Sequence, residues 1–238
     1  MRPQGRLSKR LLAVARYVRP GERVADIGCG DASLALYLAL EKGCRVIATE
    51  ASLAGFGIAS QRVAASRAPV EVRRGWGLAP LRPGEVGVII IAGMGGITIA
   101  QVLEARPPGV APRYFVLQPM ERSAFLRVWL YQHRWAVLDE DLVEEKGRIY
   151  EILVARPGPT PASEANGPPL AGGEVGRILV DKRHPLLSRL LAQKQQRYRR
   201  QLAEAGRSLR AEEVREKAKE VLAELERLAA SLEVSSKE

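Results

Sequence analysis

The stretch that decides the fold is "ERVADIGCGDASLALYLAL", residues 22–40. Its short apolar run "RVADI", 23–27, meets an acid, Asp26, and then two glycines, Gly28 and Gly30. A helical pattern begins immediately afterwards. That order, strand then glycine turn then helix, is how a nucleotide-binding βα unit opens, because glycines let the backbone approach a ligand closely.

Working outward, strand-like and helical runs alternate. Strands are expected at 23–27, 45–49, 69–73, 86–91 and 113–118, and helices at about 32–42, 52–66, 96–104 and 121–133. Parallel strands need crossovers, so five strands separated mostly by helices predict a doubly wound parallel sheet. Two further strands, "WAVLDEDLVEE" and "RIYEILVAR", are separated by only two or three residues and predict an antiparallel hairpin at the sheet edge. An amphipathic helix from Leu7 to Val18, ended by Pro20 and Gly21, precedes the first strand.

The expected division is a catalytic-type α/β domain over 1–156, a linker over 157–173 and a helical region over 174–238. The segment "PGPTPASEANGPPLAGG" is nearly devoid of bulky side chains. Beyond it lie two helical patterns, about 185–205 and 208–234. In the second, Val214, Ala218, Val221, Leu225, Leu228 and Leu232 step by four and three, a heptad seam. Leu187, Leu191, Lys194 and Tyr198 repeat the register in the first. The economical arrangement is an antiparallel helical hairpin in a monomer; a dimer through the seam is the alternative.

The first loop departs from the dinucleotide fingerprint G-x-G-x-x-G, since Ser33 holds the third glycine's place. A carboxylate at Asp26 repels a pyrophosphate but suits a ligand whose polar end is positive or zwitterionic. With Glu50 ending the second strand, where an acid takes ribose hydroxyls, the pattern favours S-adenosylmethionine over NAD. The order, five parallel strands followed by an antiparallel pair, resembles that of the Rossmann-like class I methyltransferases.

Charge points to the partner. The net charge is +10, with 37 Lys and Arg against 27 Asp and Glu. Such an excess implies a polyanion, nucleic acid first. It is local: Arg2, Arg6, Lys9, Arg10, Arg16 and Arg19 precede the first acid, and Arg189, Lys194, Arg197, Arg199 and Arg200 crowd the first C-terminal helix. Of these, Arg6, Lys9, Arg10, Arg189, Lys194, Arg197 and Arg200 are the expected RNA contacts. The two cysteines, Cys29 and Cys44, have no metal spacing, no metal is expected, and a reduced cytoplasmic protein is the default. No apolar run approaches the ~18 residues of a membrane span.

Several stretches resemble one family: "LSKRLLAVARYV", "IAGMGG" at 91–96, "VLQP" at 116–119, "LRVWL", "IYEILVA" and "VDKRHPLLSRLLAQK". They are similar to the bacterial tRNA adenine-22 N1-methyltransferases, the TrmK family, over nearly the whole chain. The resemblance implies cofactor contacts at Asp26, Gly28, Gly30, Glu50, Trp76, Gly77, Gly93 and Met94. It puts Gly93 to Gly96 at the reacting centre, with Gln118 and Pro119 flanking the base. It also implies that tRNA is the substrate and N1 of adenine the acceptor.

Where the family has "GSDHAYLP", this chain has "GCGDASLA"; where it has "LQPN", Met120 stands in place of the Asn. Asp31, Gly93 and Gln118 are the candidate catalytic residues, Asp31 to stabilise a developing cation and Gln118 or a Gly93 carbonyl to hold the exocyclic amine. Asp31 as a helix cap is the equal alternative. A methyltransferase for another RNA base, and an inactive RNA-binding protein that keeps the fold, also remain open.

Overall fold

The computed structural model describes residues 7–158, 169–204 and 209–234. Arg6, most of the expected linker and residues 205–208 between the two C-terminal helices lie outside them.

The elements run α1 (Lys9–Arg16), β1 (Arg23–Ile27), α2 (Ser33–Lys42), β2 (Arg45–Glu50), α3 (Leu53–Ser66), β3 (Val70–Arg74), β4 (Val88–Met94), α4 (Gly96–Glu104), β5 (Tyr114–Pro119), α5 (Ser123–Gln132), β6 (Trp135–Glu145) and β7 (Arg148–Pro157). A short 3₁₀ turn (Ala171–Gly173), α6 (Arg177–Asp181), α7 (Leu187–Glu204) and α8 (Leu209–Val234) follow. The seven strands form one sheet in the order β3-β2-β1-β4-β5-β7-β6. The first five are parallel; β7 pairs antiparallel with both β5 and β6. The fold is the expected Rossmann-like methyltransferase sheet.

Alternation along each strand feeds two cores. Val24, Val46, Val88, Ile90 and Val116 face α1, α2 and α3. Ala25, Ile27, Ile89, Ile91, Phe115 and Leu117 face α4 and α5. Strands buried on both faces must be apolar throughout, which is why "VGVIII" and "RYFVLQ" lack period-two alternation. Ser8 caps α1, its hydroxyl accepting from the Leu11 N–H at 3.2 Å. Strand order reverses between β1 and β4, so ligands are expected outside the carboxyl ends of those strands.

The helical region does not hang from a linker that reaches residue 173. Ala171, Gly173, Glu174, Val175 and Gly176 are buried, and Ala171 and Val175 join a third core with Leu142, Ile149, Leu187, Leu190, Leu191, Val221 and Leu225. Two glycines permit this turn. A side chain at Gly173, which has φ +93°, would meet the Ala124 carbonyl at 2.4 Å, and one at Gly176 would lie 1.9 Å from Glu140. The α7–α8 pair is a hairpin whose seam residues Ala218, Val221 and Leu225 are buried within this chain, while Val214 is exposed. Gln195 bonds the Leu225 carbonyl at 3.1 Å and Arg199 pairs with Glu226 at 2.7 Å, bridging the two helices.

Candidate active site

The β1–α2 turn is held by its neighbours. The N–H groups of Gly28 and Cys29 both donate to the Thr49 carbonyl, at 2.8 and 2.9 Å. Gly28 has φ +68°, and a methyl there would strike the Met94 side chain at 2.2 Å, so only glycine fits without rearrangement. Gly30 donates its N–H to Glu50 Oε2 at 3.2 Å, and Glu50 Oε1 accepts from both the N–H and hydroxyl of Ser52 at 2.9 Å. Burial opposes ionisation of Glu50, but the Ser52 and Gly30 bonds outweigh it and hold the carboxyl below its ordinary range.

Asp26, at the end of β1, is 4% exposed, and its Oδ2 has no hydrogen-bond partner. Burial pushes its carboxyl up to about 7, a backbone hydrogen bond at Ala35 opposes the rise, and the charge of Asp31 adds to it. A buried carboxylate oxygen without a donor is costly. In the loop after β3, Trp76 is half exposed, and the Gly77 carbonyl accepts from Thr49 Oγ1 at 3.2 Å.

Asp31 is engaged elsewhere. Its Oδ1 accepts from the Ser33 N–H at 3.1 Å, closing an Asx turn, and its Oδ2 pairs with Arg62 of α3 and accepts from the Ser33 hydroxyl. Burial opposes ionisation, yet the Ser33 and Arg62 contacts keep this carboxyl below its usual range.

At the end of β4 the ladder is irregular. Ala92 pairs with Gln118 and Met94 with Pro119, so Gly93 is the extra residue of a bulge, at φ +84°. Its N–H, released from the ladder, donates to Gln118 Oε1 at 3.2 Å. Arg10 donates to the same oxygen. Gln118 Nε2 donates to the Pro119 carbonyl at 2.7 Å. Gln118 is fully buried; its oxygen is saturated and its amide presents nothing outward, so it stands behind the site and not in it. Gly96 lets α4 approach the 120s loop: its N–H donates to the Glu121 carbonyl at 2.9 Å, and a methyl there would meet the Arg122 carbonyl at 2.3 Å.

Residues 7–153 match the Methyltransferase domain family. The tRNA (adenine(22)-N(1))-methyltransferase of Bacillus subtilis is 34% identical over 227 residues, 94% of this chain and 95% of that one. The chain belongs to that methyltransferase family. The crystal structure of the B. subtilis m1A22 tRNA methyltransferase TrmK matches with a TM-score of 0.79 at 31% identity, covering 94% of this chain and 99% of that one. A Streptococcus pneumoniae protein solved in complex with S-adenosyl-L-methionine matches with a TM-score of 0.76 at 28% identity, covering 93% and 99%.

In this TrmK-family chain the basic residues expected to meet RNA divide into groups. Lys9, Arg189, Arg197 and Arg200 are exposed. Arg189 pairs with Glu144, Arg197 with Glu174, and Arg200 with Glu204 at 3.9 Å. Arg10 is turned inward to Gln118. Lys194 is a correction: it is 6% exposed and its ammonium reaches Glu151 at 2.8 Å and Glu174 at 3.1 Å. Its heptad position points it at the sheet, where only carboxylates make its burial tolerable. Glu151 in turn meets Arg127, which also pairs with buried Glu140 at 2.7 Å. The sequence reading missed Arg127, Glu140, Glu151 and Glu174, although charged residues inside apolar helix and strand faces were the available signal. It also passed over Arg148 and Tyr150, which lie beside Arg10.

Among the described residues no group of three or more His, Cys, Asp or Glu could hold a metal, and no helix is long and apolar enough to cross a membrane.

Proposed function

We propose that the chain methylates N1 of adenine 22 in tRNA with S-adenosylmethionine as donor. The observation that carries this is the end-to-end likeness to the B. subtilis enzyme, and the site chemistry agrees with it. The unpartnered Asp26 Oδ2 fits the ammonium of the cofactor's amino-acid end. Gly28 and Gly30 leave the backbone open to it. Glu50 Oε2, which holds a single bond from Gly30, has a lone pair for a ribose hydroxyl. Trp76, Gly77, Gly93 and Met94 are the remaining cofactor contacts on this reading. When bound, S-adenosylmethionine supplies an electrophilic methyl group.

Adenine N1 carries an in-plane lone pair and needs no general base, so the protein's task is placement. The base must leave its stack to present that edge. The Gly93 bulge brings backbone to the reacting centre. Gln118 acts on this reading as a positioning residue, locking the bulge through the Gly93 N–H. The bonds of Asp31 to Arg62 and Ser33 favour its role as a clasp on the first turn over a direct catalytic one. The helical hairpin, with Arg189, Arg197 and Arg200 outward, extends the cationic surface towards the phosphate backbone. Because the seam is buried within one chain, we take the active unit as a monomer, and a tRNA substrate places its work in the cytoplasm.

The test is incubation of the purified chain with unmodified tRNA and the cofactor, followed by nucleoside mass spectrometry. 1-Methyladenosine, lost when adenine 22 is replaced, is expected. A different methylated base means that the altered loop at Gly30, Asp31 and Ser33 serves another target. Cofactor binding without product overturns the enzymatic reading.

A further inference from the structure

Two guanidinium groups converge on one aromatic ring beside the β4 bulge. Arg10, from α1, lies 5.6 Å from the centroid of Tyr150, and Arg148, at the start of β7, lies 5.1 Å from it. Both are anchored through neutral acceptors: Arg10 on Gln118 Oε1, Arg148 on the Met120 carbonyl. Among the described residues neither is paired with a carboxylate. That sets them apart from Arg62, Arg73, Arg127 and Arg197, each of which has one.

Like charges gathered on one ring repel. Cation–π attraction offsets part of this, but the arrangement is completed by an anion. Guanidinium forks match phosphate oxygens. The place is also right. A methyl built on Gly93 would lie 3.8 Å from Arg10 Nη1, and the Met120 N–H donates to the Met94 carbonyl at 2.8 Å. On the Arg148 side of the ring a cleft of about 250 Å³ opens towards α7, lined by Arg122, Arg148, Tyr150 and Gln193 together with the acids Glu121 and Glu151. That is below the ~300–1,000 Å³ of drug-sized ligand sites, room for a phosphate group and its near surroundings and not for a duplex.

We propose that Arg10 and Arg148, held on Tyr150, clamp the phosphodiester that flanks the extruded adenosine. The inference rests on the tRNA reading above and adds to it the point where the substrate is gripped. Charge supports it: methylation at N1 makes the base cationic, and two bare guanidiniums nearby would oppose that. One phosphodiester between them cancels one of the two charges.

The test uses the full chain and a tRNA assembled by ligation, with a neutral methylphosphonate at the phosphodiester on one or the other side of the target adenosine. In the wild type one of the two positions is expected to raise KM about tenfold, with kcat within about twofold. Arg148→Gln is expected to raise KM similarly, to leave cofactor affinity unchanged, and to lower the slope of log(kcat/KM) against log[salt] by about one. In that variant the methylphosphonate should cost nothing more. Arg148→Lys should recover part of the loss.

The clamp is refuted if both methylphosphonates leave the wild-type KM unchanged, a result that needs no variant to fold. It is also refuted if the methylphosphonate exacts its full cost in Arg148→Gln. Absence of 1-methyladenosine from every wild-type reaction refutes the reading of function instead, and the same cycle read as tRNA Kd then decides the clamp.

Discussion

Lys194 of α7 and Glu151 of β7 meet at 2.8 Å, both nearly sealed from solvent, where the helical hairpin enters the catalytic domain. Glu151 also accepts from the Ser123 hydroxyl at 2.7 Å, and its chain neighbour is Tyr150. The hairpin is therefore tied by buried charge to the strand and loop that flank the site.

Breaking that tie should be costly. Lys194→Met leaves Glu151 with Arg127 and Glu174 with Arg197 as their only cations among the described residues, and a loss of about 3 kcal/mol is expected in urea unfolding. Burial raises the Glu151 carboxyl, but Lys194 and Arg127 overcome it and hold it at about 2. A carboxyl lowered on folding adds stability above its unfolded pKa of ~4.3 and loses it as pH falls towards the folded value. Lys194→Met should therefore unfold at a higher pH in acid titration. An unchanged acid midpoint would count against the network.

Asp26 behaves in the opposite sense. A carboxyl raised to about 7 adds stability that is full below ~4 and lost as pH rises through 7. Asp26→Asn should thus stabilise the free protein at pH 8 by about 2–4 kcal/mol while abolishing cofactor binding. In the wild type, cofactor affinity measured by calorimetry should weaken as pH falls from 7.5 to 5.5, since protonated Asp26 cannot pair with an ammonium. PH-independent affinity over that window would remove Asp26 from the contact.

Trp76 offers an optical handle. It is 47% exposed, whereas Trp129 is buried and Trp135 packs on Phe115 at 5.1 Å. Cofactor binding should quench the exposed indole. Trp76→Leu should abolish the quench and weaken binding about tenfold, roughly 1.4 kcal/mol.

Arg200 and Arg189 test the outer surface. Each Arg→Gln change should raise the KM for tRNA a few-fold, lower the salt slope by about 0.7–0.9, and leave thermal stability unchanged for Arg200, whose Glu204 contact is a loose 3.9 Å. Lys194 variants should show the reverse pattern, with stability lost first.

The sequence by itself determined the sheet. Val88 to Ile91 is apolar without alternation because both faces are covered, and "DIGCG" has the acid and glycines that a zwitterionic ligand's turn needs. The first strand was legible to the residue, since an exposed Arg23 and the Gly28 turn bound it. In α8 the burial of Ala218, Val221 and Leu225 follows the helical period, whereas Val214, at the start of the expected seam, is exposed.

What only the tertiary structure decided is the destination of polar groups. Local pattern cannot say whether a lysine at a seam position meets water, RNA or a buried carboxylate; for Lys194 the answer lay 43 residues away at Glu151. Gln118 read as a residue facing the base until the Gly93 bulge and Arg10, 108 residues distant, consumed its oxygen. Arg10 and Arg148 share a ring only because the fold lays α1 against β4 and β6, and β7 is the neighbour of β6 in the sheet. Periodicity encodes which face is buried, whereas charge pairing across long sequence separations depends on how the faces come together.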